Sequence, residues 1–367
     1  MNLPGLVDVH VHLRSPGGEH KEDFRTGSAA ALAGGFTTVL AMPNTQPPLV
    51  SYDNWRVAQT QAASQSLCDV FLYAGACAEH IDQLPLLSAH APALKIYLDQ
   101  TYGPLRVRDL ETLAGVMSGW TCEKPICLHA EGESVAVGLA LAAVYGKHIH
   151  FCHISRRAEV ELIARAKERG LPVSCEVTPH HLFLNETDAA RLGAYGDMRP
   201  TLAAPDDQAA LWEHINSTID CVASDHAPHT RAEKENPQGS PPGVPGLEST
   251  LPLMLTAVAQ GRLSAARLSE LLAVNPRRLF NLPEQPDTWV EVDPEAEYVF
   301  PEHPLYTKCG WSPFAGMRLT GRITRVVLRG QEAVRAGIVL NYQNPQSFHT
   351  WSARYDDRKY HTSFQAG

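Results

Sequence analysis

Leu6-Val7-Asp8-Val9-His10-Val11-His12-Leu13 is the stretch that decides the reading of this chain. It is short, rich in β-branched residues and not cleanly alternating. That is the pattern of a strand buried on both faces, as in a parallel sheet. Seven further runs share it, at 37–42, 70–76, 94–98, 125–130, 148–154, 173–178 and 219–224. Helix-like stretches lie between them. Residues 21–33 close on Gly34-Gly35, a helix stop. Residues 155–169 open on Ser155 as a cap ahead of Glu159 and stop at Gly170-Leu171-Pro172. Residues 206–217 and 247–260 complete the series. Eight strands alternating with helices predict an α/β chain folded as a (β/α)8 TIM barrel. A doubly wound open sheet would carry a glycine-rich phosphate loop after the first strand, and none is there.

Beyond residue 285 the pattern changes. Segments 288–292, 298–300 and 318–340 read as short strands around turns at Gly321, Gly330 and Gly337. The expected organisation is a barrel over residues 1–285, a small β extension packed on it over 286–340, and a tail or linker over 341–367. No repeat of solenoid period is present. The formal net charge of −9 and the absence of a Lys/Arg-rich run argue against a nucleic-acid surface. No apolar run is long enough to span a membrane, and no basic-then-apolar leader is visible. The eight cysteines are scattered, several inside apolar runs, and read as buried thiols of a reducing cytoplasm rather than a disulfide framework.

The polar residues inside the strand-like runs carry the chemistry. His10 and His12, one residue apart, point to one face of a strand, and paired imidazoles suit a borderline metal such as zinc. Lys95 lies within the fourth run, His129 ends the fifth, His153 the sixth, and Asp225 follows the eighth. A barrel brings all these strand ends to one mouth. Taken singly, each has a structural explanation: a salt bridge for Lys95, a hydrogen-bonded core ring for each histidine, a turn or cap for Asp225. Together, at matching strand ends, those explanations become jointly improbable. A buried Lys amine can react with carbon dioxide to give an anionic carbamate able to bridge two metals, and desolvation favours the reactive neutral amine. His181 and His226 stay ambiguous, while His80, His90 and His148 are assigned to structure or surface.

This constellation resembles the amidohydrolase superfamily, and the local motifs are similar to those of dihydroorotases. They are His10-Val11-His12-Leu13-Arg14-Ser15-Pro16-Gly17, with Ser15 where Glu is usual; Ala41-Met42-Pro43-Asn44-Thr45; Ser224-Asp225-His226-Ala227-Pro228-His229; Pro179-His180-His181-Leu182-Phe183-Leu184; and Asn275-Pro276-Arg277-Arg278. The likeness runs from about residue 3 to about residue 340 and looks closest to the dihydroorotase domain of the animal multifunctional pyrimidine-synthesis protein. It implies reversible cyclisation of N-carbamoyl-L-aspartate to L-dihydroorotate at a binuclear zinc centre. One metal would take His10, His12, Asp225 and carboxylated Lys95; the other would take the same carbamate, His129 and His153. Asp225 would move the proton. Arg14, Asn44 and His229 would hold the free carboxylate of the substrate, with Arg199, Pro242 and Gly243 lining the pocket. Thr101 and Tyr102 would form the tip of a loop that closes on substrate. His129, Cys152 and Glu176 match a set that holds a further zinc in animal-type enzymes; a buried thiol and a salt-bridged glutamate is the other reading. The resemblance also implies a homodimer and fusion to carbamoyl-phosphate synthetase and aspartate transcarbamoylase. The start of the chain almost directly on the first strand agrees with a domain cut from a longer polypeptide. The alternatives are a dihydropyrimidinase or allantoinase, whose substrates would leave Arg14 without a partner, a non-catalytic scaffold relative, and a metal-storage module.

Overall fold

The computed structural model describes residues 1–101 and 103–340; Tyr102 and the stretch 341–367 read above as a tail lie outside the described residues. Its centre is a parallel barrel. The first strand (Leu6–Val11) pairs with the second (Phe36–Ala41), and the second with the first half of the third (Asp69–Leu72). The second half of the third strand (Ala74–Gly75) pairs with the fourth (Leu94–Tyr97). The fifth (Ile126–His129), sixth (Ile149–Phe151), seventh (Val173–Val177) and eighth (Cys221–Val222) follow in order. A bridge between Val11 and His226 closes the ring, with the His12 amide donating to the His226 carbonyl at 2.7 Å. Asp8 reinforces the seam from inside. Fully buried, its carboxylate accepts the Ser224 amide at 3.1 Å and the His10 amide at 3.0 Å. Burial raises its pKa to about 7.

The strands are buried on both sides, as their composition requires. Val7, Val9, Leu40, Phe71, Tyr73, Cys127 and Cys221 fill the barrel interior, plugged by Phe280 and Leu282 from beyond it. The outward faces join the helices in a second, larger core. The helix of Phe24–Ala33 begins three residues later than the sequence pattern predicts, because Asp23 caps it, accepting the Thr26 amide at 2.7 Å. Lys21 therefore falls in the preceding loop, where it is buried. Gly34 ends this helix against the carbonyl of Leu247; a Cβ there would lie 2.2 Å from that oxygen. The helix of Arg157–Glu168 is also capped differently from expectation. Ser155 Oγ has no hydrogen-bond partner, and Glu159 reaches back to accept the amides of Ser155 and Arg156, each at 3.1 Å.

A five-stranded antiparallel sheet packs on the barrel, in the order Asn2–Pro4, Trp289–Val299, Arg318–Leu328, Gln331–Arg335, Ile338–Val339. Two of the expected short strands are one long strand, 289–299, broken by bulges around Asp293. Its outer partner, Asn2–Pro4, comes from the opposite end of the chain. Arg329 ties this sheet to the third barrel strand, contacting both carboxylate oxygens of Asp69, at 3.1 and 2.5 Å, while Gln285 donates to Asp69 at 2.8 Å. Asp69 is 5% exposed. Removing one partner of a buried pair strands the other charge, at a cost of about 3–5 kcal/mol. Asp69→Ala should lower the unfolding free energy by roughly that amount in chemical denaturation.

Candidate active site

The ends of barrel strands 1, 4, 5, 6 and 8 bring every expected donor to one mouth. His10 Nε2 and His12 Nε2 lie 3.3 and 3.2 Å from Asp225 Oδ1. These separations match the edge of a coordination tetrahedron with bonds of about 2.0–2.1 Å. Among the described residues Asp225 Oδ1 is nevertheless buried without a well-formed hydrogen bond. Beside this trio, His129 Nδ1 and His153 Nε2 converge to 2.9 Å, while His129 Nε2 meets Glu131 at 2.9 Å. His153 Nδ1 is likewise buried and unpartnered. Lys95 is wholly buried; its Nζ donates to Cys152 Sγ at 2.9 Å, and no carboxylate of the described residues pairs with it within 4.0 Å. Converging nitrogens, buried atoms without hydrogen bonds and a buried lysine with no carboxylate beside it together fit a metal centre at this mouth.

The electrostatics agree. Burial disfavours charge on His10, yet the Asp225 and Glu176 carboxylates outweigh it and lift its pKa to about 10. Burial opposes ionisation of Asp225 and of Glu176 too, but the imidazoles, His10 foremost, hold both well below the usual carboxylate range. The same two carboxylates would hold a divalent cation. His12, by contrast, is pushed down to about 4 by burial, and His153 falls well below its ordinary value for the same reason. Neutral rings are what a metal requires.

Cys152 and Glu176 lie beside His10, not His129 as expected. His10, Cys152 and Glu176 have donor atoms within 4.8 Å of one another, and His10 Nδ1 meets Glu176 Oε1 at 2.5 Å. His150 takes the other oxygen of Glu176 at 3.1 Å and was missed in the sequence, where a histidine inside an apolar strand-like run carries no signal of its own. His181 is a structural ring, held between Thr178 at 2.8 Å and the Pro200 carbonyl at 3.1 Å.

Around the mouth stand the residues that the resemblance assigns to a carboxylate. Arg14, buried, donates through Nε to the Pro228 carbonyl at 3.1 Å and sets Nη2 3.0 Å from His229 Nε2. Asn44 Oδ1 meets His12 Nδ1 at 2.8 Å. Pro242 presents its carbonyl to His229 Nε2 at 3.0 Å, and Gly243, at φ +136, passes so close to Ala227 that a Cβ would meet its carbonyl at 2.6 Å. Arg199 is half-buried and turned onto Asp197 and the Met198 carbonyl. Thr101 is half-buried in the loop after strand 4, and Gly103 comes close to Asn44: a Cβ on it would lie 3.8 Å from that side chain. Arg14, His153 and Asp225 all have left-handed backbone, at φ 60, 34 and 45. Such conformations cost about 1–3 kcal/mol each and gather at functional sites. No sequence pattern announces them.

A parallel barrel with this donor set at its mouth is the architecture of a cyclic amidohydrolase. Its fold matches that of an L-hydantoinase (dihydropyrimidinase) from Arthrobacter aurescens, with a TM-score of 0.89 at 27% identity, covering 94% of this chain and 87% of the other. It also matches an inactive dihydroorotase-like domain of a CAD-like multifunctional protein from Chaetomium thermophilum, with a TM-score of 0.80 at 26% identity over 93% and 96% of the two chains. Residues 1–85 match the Dihydro-orotase-like family model. The chain is 47% identical over 93% of its length to the multifunctional protein CAD of Squalus acanthias, of which it spans 15%. It is 33% identical over 89% of its length to a dihydroorotase of Staphylococcus epidermidis, covering 86% of that protein. The chain belongs to the dihydroorotase family.

One buried carboxylate braces the loops that carry two of the candidate ligands. Glu159 accepts the amides of Gly132, Ser155 and Arg156, just beyond His129 and His153. Glu159→Ala would leave three amide donors unsatisfied, at about 1–3 kcal/mol for each one that stays dry. It should lower the thermal midpoint and weaken metal retention on dialysis together.

Proposed function

We propose that this chain is a dihydroorotase, interconverting N-carbamoyl-L-aspartate and L-dihydroorotate in pyrimidine synthesis. The observation that carries the reading is a buried guanidinium, Arg14, at the rim of a mouth where His10, His12 and Asp225 lie close enough together to hold a metal. A substrate with one reacting carbonyl and one spectator carboxylate needs both features, and guanidinium matches carboxylate bidentately. The 33% identity to a named dihydroorotase along 86% of its length supports it.

His10, His12 and Asp225 would hold one zinc and His129 and His153 the other. Lys95, after its Nζ bonds the carbon of CO2 and loses a proton, would serve both. When bound, such a pair supplies a hydroxide at neutral pH and polarises a carbonyl. Cys152 and Glu176, with His10 on the geometry and His129 by resemblance, would hold any third ion. The remaining chemistry belongs to the chain. Arg14, Asn44 and His229 bind and orient the free carboxylate. Asp225, at the wall of the same mouth, takes up a proton in ring opening and delivers it to the departing ring nitrogen. It removes one from the carbamoyl nitrogen in ring closure. Pro242, Gly243 and Arg199 shape the pocket, and the stretch 99–104, which resembles a closing loop, would exclude water over the bound substrate.

The likeness to CAD supports fusion to carbamoyl-phosphate synthetase and aspartate transcarbamoylase partners. A homodimer is supported by the helix of Glu133–Tyr145, whose exposed Ala136, Val137, Ala140, Ala143 and Val144 carry no charge. All eight cysteines are free thiols, which supports a cytoplasmic setting. No helix of the described residues is long and apolar enough to cross a membrane.

Turnover of L-dihydroorotate and N-carbamoyl-L-aspartate by the zinc-replete protein, with dihydrouracil as control, tests the reading. Turnover of dihydrouracil instead would move the chain to the dihydropyrimidinases, and no turnover with metal bound would make it a scaffold. Arg14→Ala should raise KM on the order of 100-fold, the loss of a bidentate charged contact, while zinc stoichiometry stays intact. Lys95→Ala should lose both metals, read by elemental analysis, and activity with them.

A further inference from the structure

We propose that Lys21 is a positioning residue of the carboxylate pocket: its ammonium fixes His229 in the tautomer that presents Nε2–H to the substrate. This rests on the dihydroorotase reading given above.

Lys21 lies in the loop after the first strand, 5% exposed, although its sequence pattern places it on a helix face. Its Nζ sits 3.1 Å from His229 Nδ1 and 2.9 Å from Glu233 Oε1. An ammonium is a donor only, so Nδ1 must offer it a lone pair. A neutral imidazole carries one N–H, which leaves the proton on Nε2. That nitrogen donates to the Pro242 carbonyl at 3.0 Å, and Arg14 Nη2, also a donor only, stands 3.0 Å from it, so two donors face each other at the rim, an arrangement that an arriving carboxylate relieves. A carboxylate arriving at Arg14 therefore meets a second N–H at the same rim. The opposite tautomer would meet it with a lone pair.

The alternative tautomer has a partner waiting. Glu233 Oε2 is 4.0 Å from His229 Nδ1, and Lys21 stands in contact with both groups. Without the ammonium, the carboxylate would draw a proton onto Nδ1. The rest of the pocket keeps the ring neutral: burial, then Arg14, Lys21 and Lys234, all push its pKa down. The ring itself is fully buried, and its backbone carbonyl accepts Trp311 Nε1 at 2.8 Å, so it has little freedom to turn away. Lys21 thus joins the loop after strand 1, which carries Arg14, to the loop after strand 8, which carries His229.

The test is nitrogen NMR of zinc-replete protein labelled with 15N-histidine, the His229 resonances identified by their loss in His229→Asn. The wild type should show a bare Nδ1 and a protonated Nε2. A protonated Nδ1 in the wild type overturns the proposal without any variant. Lys21→Met should move the proton to Nδ1 and raise KM for N-carbamoyl-L-aspartate about tenfold or more, as expected for one charge-assisted contact. Its kcat should stay within about threefold, with zinc content unchanged. Lys21→Arg, which keeps a cationic donor, should retain both the tautomer and KM. An unchanged tautomer and KM in Lys21→Met would overturn the assignment, as would a fall in kcat and zinc with KM unmoved, which marks a purely structural role. Failure of the wild type to turn over either substrate would sink the functional reading, and the spectrum would still judge Lys21.

Discussion

Charge buried in a closed barrel governs this structure. His10, Asp225, Glu176 and Lys95 are all nearly or wholly excluded from solvent. An isolated ion in such a place costs many kcal/mol, so each must be compensated where it stands. The strand order supplies the means. Eight parallel strands deliver their C-terminal ends to one ring, so donors more than two hundred residues apart become neighbours. Among the described residues Asp225 Oδ1 and His153 Nδ1 are nonetheless buried without a well-formed hydrogen bond, although His10 and His12 stand 3.3 and 3.2 Å from the former. The donor set is therefore one that could hold a cation.

A second set of acids holds the first in place. Asp8 bolts strand 1 to the segment after strand 8. Glu176 meets His10 and is itself fixed by His150 and by the His153 amide at 3.2 Å. Glu159 gathers the loops after strands 5 and 6. Glu22, fully buried, accepts from Thr26 and Thr307 and meets His226 Nε2 at 3.3 Å, next to Asp225. Each carboxylate spans two loops that sequence places far apart. Small errors in a site of this kind are expensive, because reacting groups must be held within a fraction of an ångström.

Much of this was legible in the sequence. Strand-like runs of both-face hydrophobicity carry the barrel, and one reading frame of His-x-His, an out-of-place Lys95 and terminal His and Asp carries the donor set. What was illegible depends on contacts between distant segments. Nothing local tells that Asn2–Pro4 pairs with a strand almost three hundred residues on, since three residues hold too little pattern. Cys152 was expected with His129 only through the family resemblance; the fold sets it beside His10 and Lys95. Ser155 has the chemistry of a cap, yet the helix starts one residue later, with Arg156 at the cap position and Glu159 reaching back to the Ser155 and Arg156 amides. Lys21 continues a helical pattern, but Asp23 offers a better start, and the freed lysine turns into the pocket.

The departure at Ser15 shows how a local turn can absorb a change in a motif. Ser15, where the motif resemblance calls for Glu, donates its hydroxyl to Glu19 Oε1 at 3.0 Å. Glu19 also accepts the Gly17 amide through both oxygens, at 2.9 and 3.0 Å. A carboxylate thus still braces this loop, supplied from four residues further along. The brace matters because of what it encloses. The Gly18 amide donates to the Arg14 carbonyl at 2.7 Å, and a Cβ on Gly18 would lie 2.8 Å from that oxygen. Arg14 is held at φ 60, a conformation that an arginine does not choose unaided. Turn and brace together keep it there, and that backbone sends its guanidinium to His229 rather than to solvent. The loop therefore needs a carboxylate near its start far more than it needs one at position 15.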